Sequence, residues 1–262
     1  MVAKLGRIAS VRASTHIRIM RSAVTDGTRR RGMEILDRPG TDPDVILRAM
    51  SDLMLSNRLF GGAAAVIAEL RALAPSLPRC TLLLDVGTGM GDIPALARRI
   101  AAQHDVTLRT IGLDIDETLT HAAARRTSHA VRGDALRLPF ADKSVDVVIC
   151  SQVLHHFFDG DESRLLQELD RVARVRVIIG DLQRSRIAVP LFWGAAMALG
   201  YHRVSRHDGL VSIGRGFTTS DLQAAIIGAL GHGACIRKRL GWRLTATWTP
   251  LQPGLAVLET AA

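Results

Sequence analysis

The 262-residue sequence predicts an α/β protein with a mostly parallel sheet, an antiparallel hairpin near the C-terminus and a helical cap on the N-terminal side. Strand-like and helix-like segments alternate after residue 80, which is the order of a parallel sheet with helical crossovers. The segments at 145–151 and 176–181 contain continuous apolar, β-branched runs, as in strands covered on both faces. A turn with glycine at every second position, 87–91, joins the first strand to a helix. Together these observations predict the fold class.

Residues 1–32 are predicted to be a basic, disordered tail. Eight of the Lys and Arg residues and one acidic residue lie within residues 1–31, so this segment carries +7 of the formal net charge of +9. The remaining body is nearly neutral, which makes a nucleic-acid partner unlikely. The Arg-rich, acid-poor composition is also that of a mitochondrial transit peptide, and translation from a later start at Met20 or Met33 is a further alternative.

Residues 33–75 are predicted to be a helical lead-in that forms the cap. Apolar residues recur at three- and four-residue spacing after the cap-like Thr41-Asp42-Pro43. A second amphipathic stretch runs from Ala63 to Leu73, and Gly61-Gly62 separates the two. The segment therefore predicts two helices ahead of the sheet.

Residues 76–262 are predicted to be the main domain. We expect strands at 81–86, 107–114, 130–132, 145–151 and 176–181, and helices at 93–103, 117–126 and 162–172. A helix near 219–230 and strands at 234–240 and 243–249 complete the pattern as a C-terminal antiparallel hairpin.

Residues 184–217 are predicted to be an insertion after the fifth strand. This stretch contains Trp193 and Tyr201 among other aromatic and Met residues. Aromatic residues at helical spacing are usually part of a core, yet a segment at this point of the chain also lies above the crevice outside the strand ends. Trp193 and Tyr201 are thus candidate substrate-binding residues, with a core role as the alternative.

The sequence contains no apolar run of the roughly 20 residues that span a bilayer, because the longest candidate, 187–199, is interrupted by Pro190. The three cysteines lie far apart without a CxxC pair, which argues against a zinc site or a disulfide framework. These features predict a cytoplasmic protein with no membrane span and no metal.

The segment from Leu82 to Asp92 is the most informative part of the chain. An apolar strand ends at Asp85 and enters a turn with Gly87, Gly89 and Gly91, which lets the backbone pass close to a ligand. Dinucleotide-binding enzymes share such a turn, but they need glycine or alanine where this chain has Asp92. A carboxylate there opposes a pyrophosphate near the helix N-terminus and suits a cationic ligand instead.

Further polar residues follow the later strands. Asp114 ends the second strand, where its carboxylate can accept from both ribose hydroxyls of a nucleoside. Asp134 and Ala135 follow the third strand, at a position suited to an adenine amino group, and Ser151 ends the fourth. Because the carboxyl ends of parallel strands share one edge, we expect these residues to lie in one crevice.

These four segments, in this order over about residues 80–182, resemble the Rossmann-like class I methyltransferases. The stretch 133–158 is similar to the methyltransferase domain of ubiquinone and menaquinone biosynthesis. More weakly, 57–62 and 180–184 resemble bacterial methyltransferases found beside secondary-metabolite genes. The resemblance implies that S-adenosylmethionine is the cofactor, held by the glycine turn, Asp114 and Asp134. The chain departs from the pattern before its fifth strand, where it has Ala173-Arg174-Val175 in place of the usual Pro-Gly-Gly turn.

His155 and His156 follow the fourth strand, where a methyl acceptor would approach the sulfonium. A histidine there can remove a proton from a hydroxyl, so both are candidate catalytic residues. The alternative is that both imidazoles only orient the loop, since methyl transfer is an in-line displacement for which alignment can supply most of the catalysis.

The sequence therefore predicts methyl transfer from S-adenosylmethionine to an oxygen, nitrogen or carbon atom of a small molecule. An RNA or protein methyltransferase recruited by the basic tail is the first alternative. A nicotinamide-dependent oxidoreductase is the second, and a protein that binds the cofactor without turnover is the third.

Overall fold

The alternating segments fold into one seven-stranded sheet with helices on both faces. The structure is a computed structural model that describes residues 29–251. Its strands are β1 Cys80–Val86, β2 Thr107–Asp114, β3 His129–Arg132, β4 Val145–Ser151, β5 Ala173–Leu182, β6 Cys235–Arg239 and β7 Arg243–Trp248.

The strand order is β3-β2-β1-β4-β5-β7-β6. The first five strands run parallel, while β7 is antiparallel to both β5 and β6. The mostly parallel sheet and its antiparallel C-terminal hairpin are therefore confirmed. The chain leaves β1 toward β2 and later returns to its other side as β4, which opens a crevice at the carboxyl ends of these strands.

The helices are α1 Pro43–Leu59, α2 Gly62–Leu73, α3 Asp92–Ala102, α4 Glu117–Ala123, α5 Asp161–Val172, α6 Ala188–Ala198, α7 Arg203–Arg215 and α8 Thr219–Leu230. Local sequence sets several of their starts. The Asp42 side chain accepts from the backbone N–H of Asp44 at the start of α1, and Pro43 occupies the first turn. Thr218 and Asp221 form a reciprocal capping box at the start of α8.

The two faces of the sheet carry separate apolar cores. Leu83 belongs to a cluster with the buried faces of α2 and α3, and the next residue, Leu84, belongs to a cluster with α5 and α8. Successive strand residues point to opposite faces, which explains why the central strands are apolar at nearly every position. The sheet is thus fixed from both sides, and its carboxyl edge is a rigid platform.

A group of three helices, α1, α6 and α7, covers the carboxyl end of β5. Helices α6 and α7 pack on each other through Val189, Leu210 and Ile213, and α1 packs on α7. Residues 184–217, predicted as an insertion, thus supply two helices of this cover. Within residues 29–251 no single helix has both the length and the hydropathy to cross a bilayer; α1 and the following segment Gly62–Ser76 meet these criteria only jointly, across a bend of 58°.

Most observed bounds lie within one residue of the predicted ones, and the largest differences occur at two places. Helix α4 ends at Ala123 rather than at residue 126, and β5 begins at Ala173 rather than at 176. No separate turn lies between α5 and β5, because Ala173 is the C-terminal cap of α5 in extended conformation and already pairs with Val145. The absence of a Pro-Gly-Gly turn therefore lengthens the strand.

The last residues of the predicted tail contact the body. The Arg29 guanidinium lies 3.9 Å from the centre of the Phe217 ring and forms an ion pair with Glu162, while Arg31 pairs with Asp159. Arg29 thus packs against the body and Arg31 forms an exposed ion pair, where a disordered tail was expected. Residues 1–28 of the predicted tail lie outside the described residues.

Candidate active site

The glycine turn lies at the carboxyl end of β1. Gly87, Gly89 and Gly91 have φ values of +69°, +55° and +75°, which residues other than glycine rarely adopt. A Cβ on Gly87 would also lie 2.2 Å from Cγ2 of Val153, so the close approach of the turn to the next loop requires glycine as well. The backbone N–H of Gly89 donates to Oδ2 of Asp114 at 2.9 Å, which ties the turn to the end of β2.

Three carboxyl groups meet at this turn. Asp85 is buried, and burial, aided by the nearby charges of Asp92 and Asp114, raises its pKa to about 8. Burial also raises the pKa of Asp92 and that of Asp114. Oδ2 of Asp85 accepts from the Thr88 hydroxyl at 2.7 Å, but its Oδ1 has no hydrogen-bond partner among residues 29–251.

This arrangement suits a cationic ligand. Buried carboxylates without a compensating charge are unfavourable, and an ammonium or sulfonium group beside them would restore their normal ionisation. A pyrophosphate would add further negative charge beside Asp85 and Asp92. The unpartnered Oδ1 of Asp85 and the raised pKa values thus fit S-adenosylmethionine better than a dinucleotide.

The other predicted cofactor residues lie along the same edge. Gly133, which follows the neighbouring strand β3, lies beside Asp114, and its N–H donates to the Asp114 carbonyl oxygen at 2.9 Å. Asp134 is exposed and accepts from the N–H of Leu136, and Ala135 is half-buried against the core. Ser151 ends β4 with a buried hydroxyl that has no hydrogen-bond partner in the described part of the chain.

A cavity of about 440 Å³ lies beside the turn, under the cover of α1, α6 and α7. Its wall is formed largely by apolar side chains from α1, α6, α7 and the ends of β5 and β7, among them Leu53, Phe60, Leu182, Leu191, Phe192, Ile213 and Trp242. Gln152, at the loop after β4, lines the cavity, and its neighbour Val153 contacts Gly87. The cofactor turn and the cavity are therefore adjacent at the sheet edge.

His155 lines this cavity and contacts Asp181, which lies next to the lining residue Leu182. His155 lies in a short 3-10 turn, Leu154–His156, and its Nδ1 is 2.7 Å from Oδ1 of Asp181 near the end of β5. Both side chains are buried. Nε2 of His155 has no hydrogen-bond partner within the described residues, and the nearest carboxylate oxygen, Oε1 of Glu34, is 3.8 Å away.

His156 lies in a different environment. Its Nδ1 is 3.1 Å from Oδ1 of Asp37 and 3.2 Å from Nη1 of Arg215. Burial lowers the pKa of His156, but the bond to Asp37 and the charges of Asp37 and Glu34 outweigh it, so that the pKa is raised overall. A histidine whose Nδ1 already contacts Asp37 and Arg215 is poorly placed to accept a proton from a ligand through that atom.

Glu34, His155 and His156 each bring one potential metal-ligand atom within 4.8 Å of the others. Arg215 opposes a cation here, because its Nη1 lies 3.1 Å from Oε1 of Glu34 and donates to it. The guanidinium thus already supplies the positive charge that these side chains attract.

The comparisons with known proteins agree with this geometry. Residues 84–179 match a family model described as a methyltransferase domain. Demethylmenaquinone methyltransferase of Roseiflexus is 34% identical over 118 residues, which cover 44% of this chain and 47% of the relative. A probable S-adenosylmethionine-dependent methyltransferase of Mycolicibacterium smegmatis is 43% identical over 72 residues, 27% of each chain.

Residues 84–179 carry a methyltransferase domain.

Solved structures show the same fold. A methyltransferase from Aquifex aeolicus has a TM-score of 0.53 at 16% identity, covering 80% of this chain and 99% of the other. A putative O-methyltransferase from Nostoc punctiforme has a TM-score of 0.57 at 16% identity, covering 90% and 69%. The chain spans about half the length, or less, of the curated relatives it matches. The predicted fold class and cofactor class are confirmed at the level of this domain.

The two predicted substrate residues have different positions in the structure. Tyr201 lines the cavity, and its hydroxyl oxygen accepts from Ser56 at 3.0 Å. Trp193 does not line it and packs instead in the cluster between α6 and α7, as Phe192 takes the cavity position. Neighbouring helix residues point about 100° apart, so a one-residue difference moves a side chain off the cavity wall.

Two acidic residues in or beside the cavity wall, Glu34 and Asp181, had little signal in the sequence. Asp181 was noted only within a segment of weak resemblance, and Glu34 lies beside the predicted tail. Glu34 enters the cavity because the adjoining segment is held by Asp208, which accepts from the N–H groups of Ile35 and Leu36 at 2.8 and 3.0 Å. The one sequence signal for Asp181 was its place at the carboxyl end of a buried strand, where functional residues of such sheets concentrate.

Proposed function

We propose that this protein transfers a methyl group from S-adenosylmethionine to a small-molecule acceptor held in the cavity. The observation that carries the proposal is the largely apolar cavity of about 440 Å³ next to the glycine turn. Its volume lies within the range of small-molecule sites. A cover of three helices over such a cavity limits access by a folded protein or an RNA helix.

The cofactor side of the proposal assigns roles to the chain's own residues. The glycine turn and Asp85 would hold the charged amino-acid end of S-adenosylmethionine, and Asp114 the ribose hydroxyls. Asp134, Ala135 and Ser151 would border the rest of the nucleoside. When bound, the cofactor supplies a methyl group on a sulfonium, which is reactive toward in-line displacement.

The relatives support a small acceptor. The Roseiflexus and Thermotoga maritima proteins are named for demethylmenaquinone, a small molecule. The neutral body and the largely apolar cavity also favour this class over RNA or protein, although the basic segment 1–31 keeps those alternatives testable by salt-dependent binding.

The test is a screen of metabolite extracts with isotopically methyl-labelled S-adenosylmethionine, followed by identification of the labelled product. We expect a labelled small molecule with the unaltered protein, strongly reduced labelling with Asp114→Ala, and full labelling with Asp105→Asn, which changes an exposed loop residue whose positive φ asparagine tolerates. Label on RNA or protein alone would contradict the proposal. Tight cofactor binding without any labelled product would identify a binding protein.

A further inference from the structure

We propose that His155 and Asp181 form a general-base dyad for an acceptor with an acidic hydroxyl group, a phenol or an enol, so that the reaction is O-methylation. This inference rests on the proposed function of the same cavity. It adds the methylated atom, the acceptor class and a residue, Asp181, that positions the base.

The hydrogen bond between the two side chains fixes the imidazole tautomer. Oδ1 of Asp181 lies 2.7 Å from Nδ1 of His155 and also accepts from the backbone N–H of Leu182 at 2.6 Å. Burial raises the pKa of Asp181, but the interactions with His155 and the Leu182 N–H outweigh it and lower the pKa overall. An ionised carboxylate only accepts, so Nδ1 carries the proton and the lone pair of the neutral ring is on Nε2.

The nitrogen with the free lone pair belongs to a side chain of the cavity wall. His155 is a cavity-lining residue, and its Nε2 has no hydrogen-bond partner in the part of the chain that is described. A buried polar atom without a partner is unfavourable unless a ligand supplies one. The missing partner of a basic nitrogen is a donor, and a hydroxyl group is the donor that also loses its proton during methyl transfer.

The surrounding charges favour proton transfer to this nitrogen. Once protonated, the ring lies between Asp181 and Glu34, whose Oε1 is 3.8 Å from Nε2. Arg243 lines the same cavity, is buried, and has an Nε without a hydrogen-bond partner among residues 29–251. Two carboxylates stabilise the imidazolium, and the guanidinium favours the anionic oxygen that remains.

The step balances without a further reactant. Nε2 of His155 takes the hydroxyl proton, and the acceptor oxygen uses the released electron pair to form the new O–CH₃ bond. The S–CH₃ bond of the sulfonium breaks with its electrons on sulfur, which becomes a neutral thioether. The proton on His155 then returns to solvent when the product leaves.

The apolar wall narrows the acceptor class. Side chains such as Leu53, Phe192 and Trp242 offer surface for an aromatic ring, whereas the polar groups concentrate at the dyad end. A carboxylic acid is already ionised near neutral pH, so its methylation does not need a buried base. A phenol or enol matches both the wall and the dyad.

Ligand binding without cofactor gives the first test. 4-Nitrophenol absorbs at longer wavelength when ionised, so its spectrum reports proton loss in the cavity. His155→Asn retains a donor toward Asp181 and deletes Nε2, while His232→Asn changes an exposed histidine between α8 and β6 as the matched control. We expect about tenfold weaker binding and loss of the phenolate spectrum for His155→Asn only. Equal phenolate formation in His155→Asn would overturn the dyad.

Turnover gives the second test, on phenols that the labelled screen accepts. We expect kcat for His155→Asn to fall by about 10² to 10⁴, with loss of the ionisation on the acidic side of the pH profile, partial rescue by added imidazole, and little change in the affinity for S-adenosylmethionine. Asp181→Asn should keep cofactor affinity and shift that ionisation, because an amide no longer fixes the tautomer or stabilises the imidazolium. An unchanged pH profile in Asp181→Asn would remove its positioning role.

Two results would overturn the inference while leaving the proposed function intact. One is a product methylated only on carbon, nitrogen or a carboxylate, such as the ester of 4-nitrobenzoate. The other is loss of activity with EDTA that a divalent cation restores, which would assign Glu34, His155 and His156 to a metal. If no small molecule is methylated at all, the proposed function itself fails.

Discussion

Asp85→Asn should remove the pH dependence of stability that the buried carboxyl group imposes on the cofactor-free protein. Burial and the charges of Asp92 and Asp114 raise the pKa of Asp85 from 3.8 to about 8. Between these values the folded protein binds a proton that the unfolded chain does not bind. Asp85 therefore contributes stability that is fully present below the unfolded pKa and is lost as the pH rises toward 8.

The magnitude follows from proton linkage. One extra proton in the folded state changes the free energy of unfolding by about 1.4 kcal/mol per pH unit, so Asp85 accounts for up to about 2 to 3 kcal/mol between about pH 5.5 and pH 7.5. Asparagine keeps an oxygen that accepts from the Thr88 hydroxyl but has no ionisation. We expect the variant to match the unaltered protein only near or below pH 3.8, and its excess stability to grow by this amount between about pH 5.5 and pH 7.5.

Urea unfolding at several pH values measures this difference. Asp105→Asn is the matched control, since Asp105 is exposed, has a positive φ that asparagine tolerates, and lies outside the site. If the stability of Asp85→Asn and that of the unaltered protein stay parallel across this range, the carboxyl group is ionised throughout and the argument for a cation-seeking turn fails. Saturating S-adenosylmethionine should shrink the difference in pH slope, because its positive charge lets Asp85 ionise.

Three further outcomes are expected. Asp114→Ala should weaken binding of S-adenosylmethionine and of its demethylated product by roughly 10- to 100-fold in calorimetry, through lost ribose bonds; unchanged affinity in a folded variant would remove Asp114 from the site. Phe192→Ala should raise KM for the acceptor by removing cavity wall, whereas Trp193→Ala should mainly lower the melting temperature; the reverse pattern would restore Trp193 as a substrate residue. Gly209→Ala should displace the Phe192 ring, because its Cβ would lie 2.2 Å from Cζ, and so change acceptor KM while cofactor affinity stays within about twofold. Wild-type acceptor kinetics would show that the ring is not part of the binding wall.

The sheet and the cofactor turn were predictable because their signals are local. Glycines at alternate positions between an apolar strand and a helix constrain the backbone within a few residues, and all three adopt positive φ as that pattern requires. Strand ends carry Asp85 and Asp114, and parallel pairing necessarily brings such ends to one edge. The observed helix and strand bounds differ from the predicted ones by up to three residues, as at Ala173, where a strand begins directly from a helix cap.

The sequence by itself determined the fold class, the cofactor turn and the carboxylates around it, since each depends on spacing along one short segment. Only the tertiary structure decided which histidine can act as a base. His155 and Asp181 are 26 positions apart and meet because β4 and β5 are adjacent in the sheet, whereas His156, the next residue, turns toward Asp37 and Arg215. Side-chain direction within a single turn and contacts between distant segments depend on how the elements pack, and no periodicity in the chain encodes them.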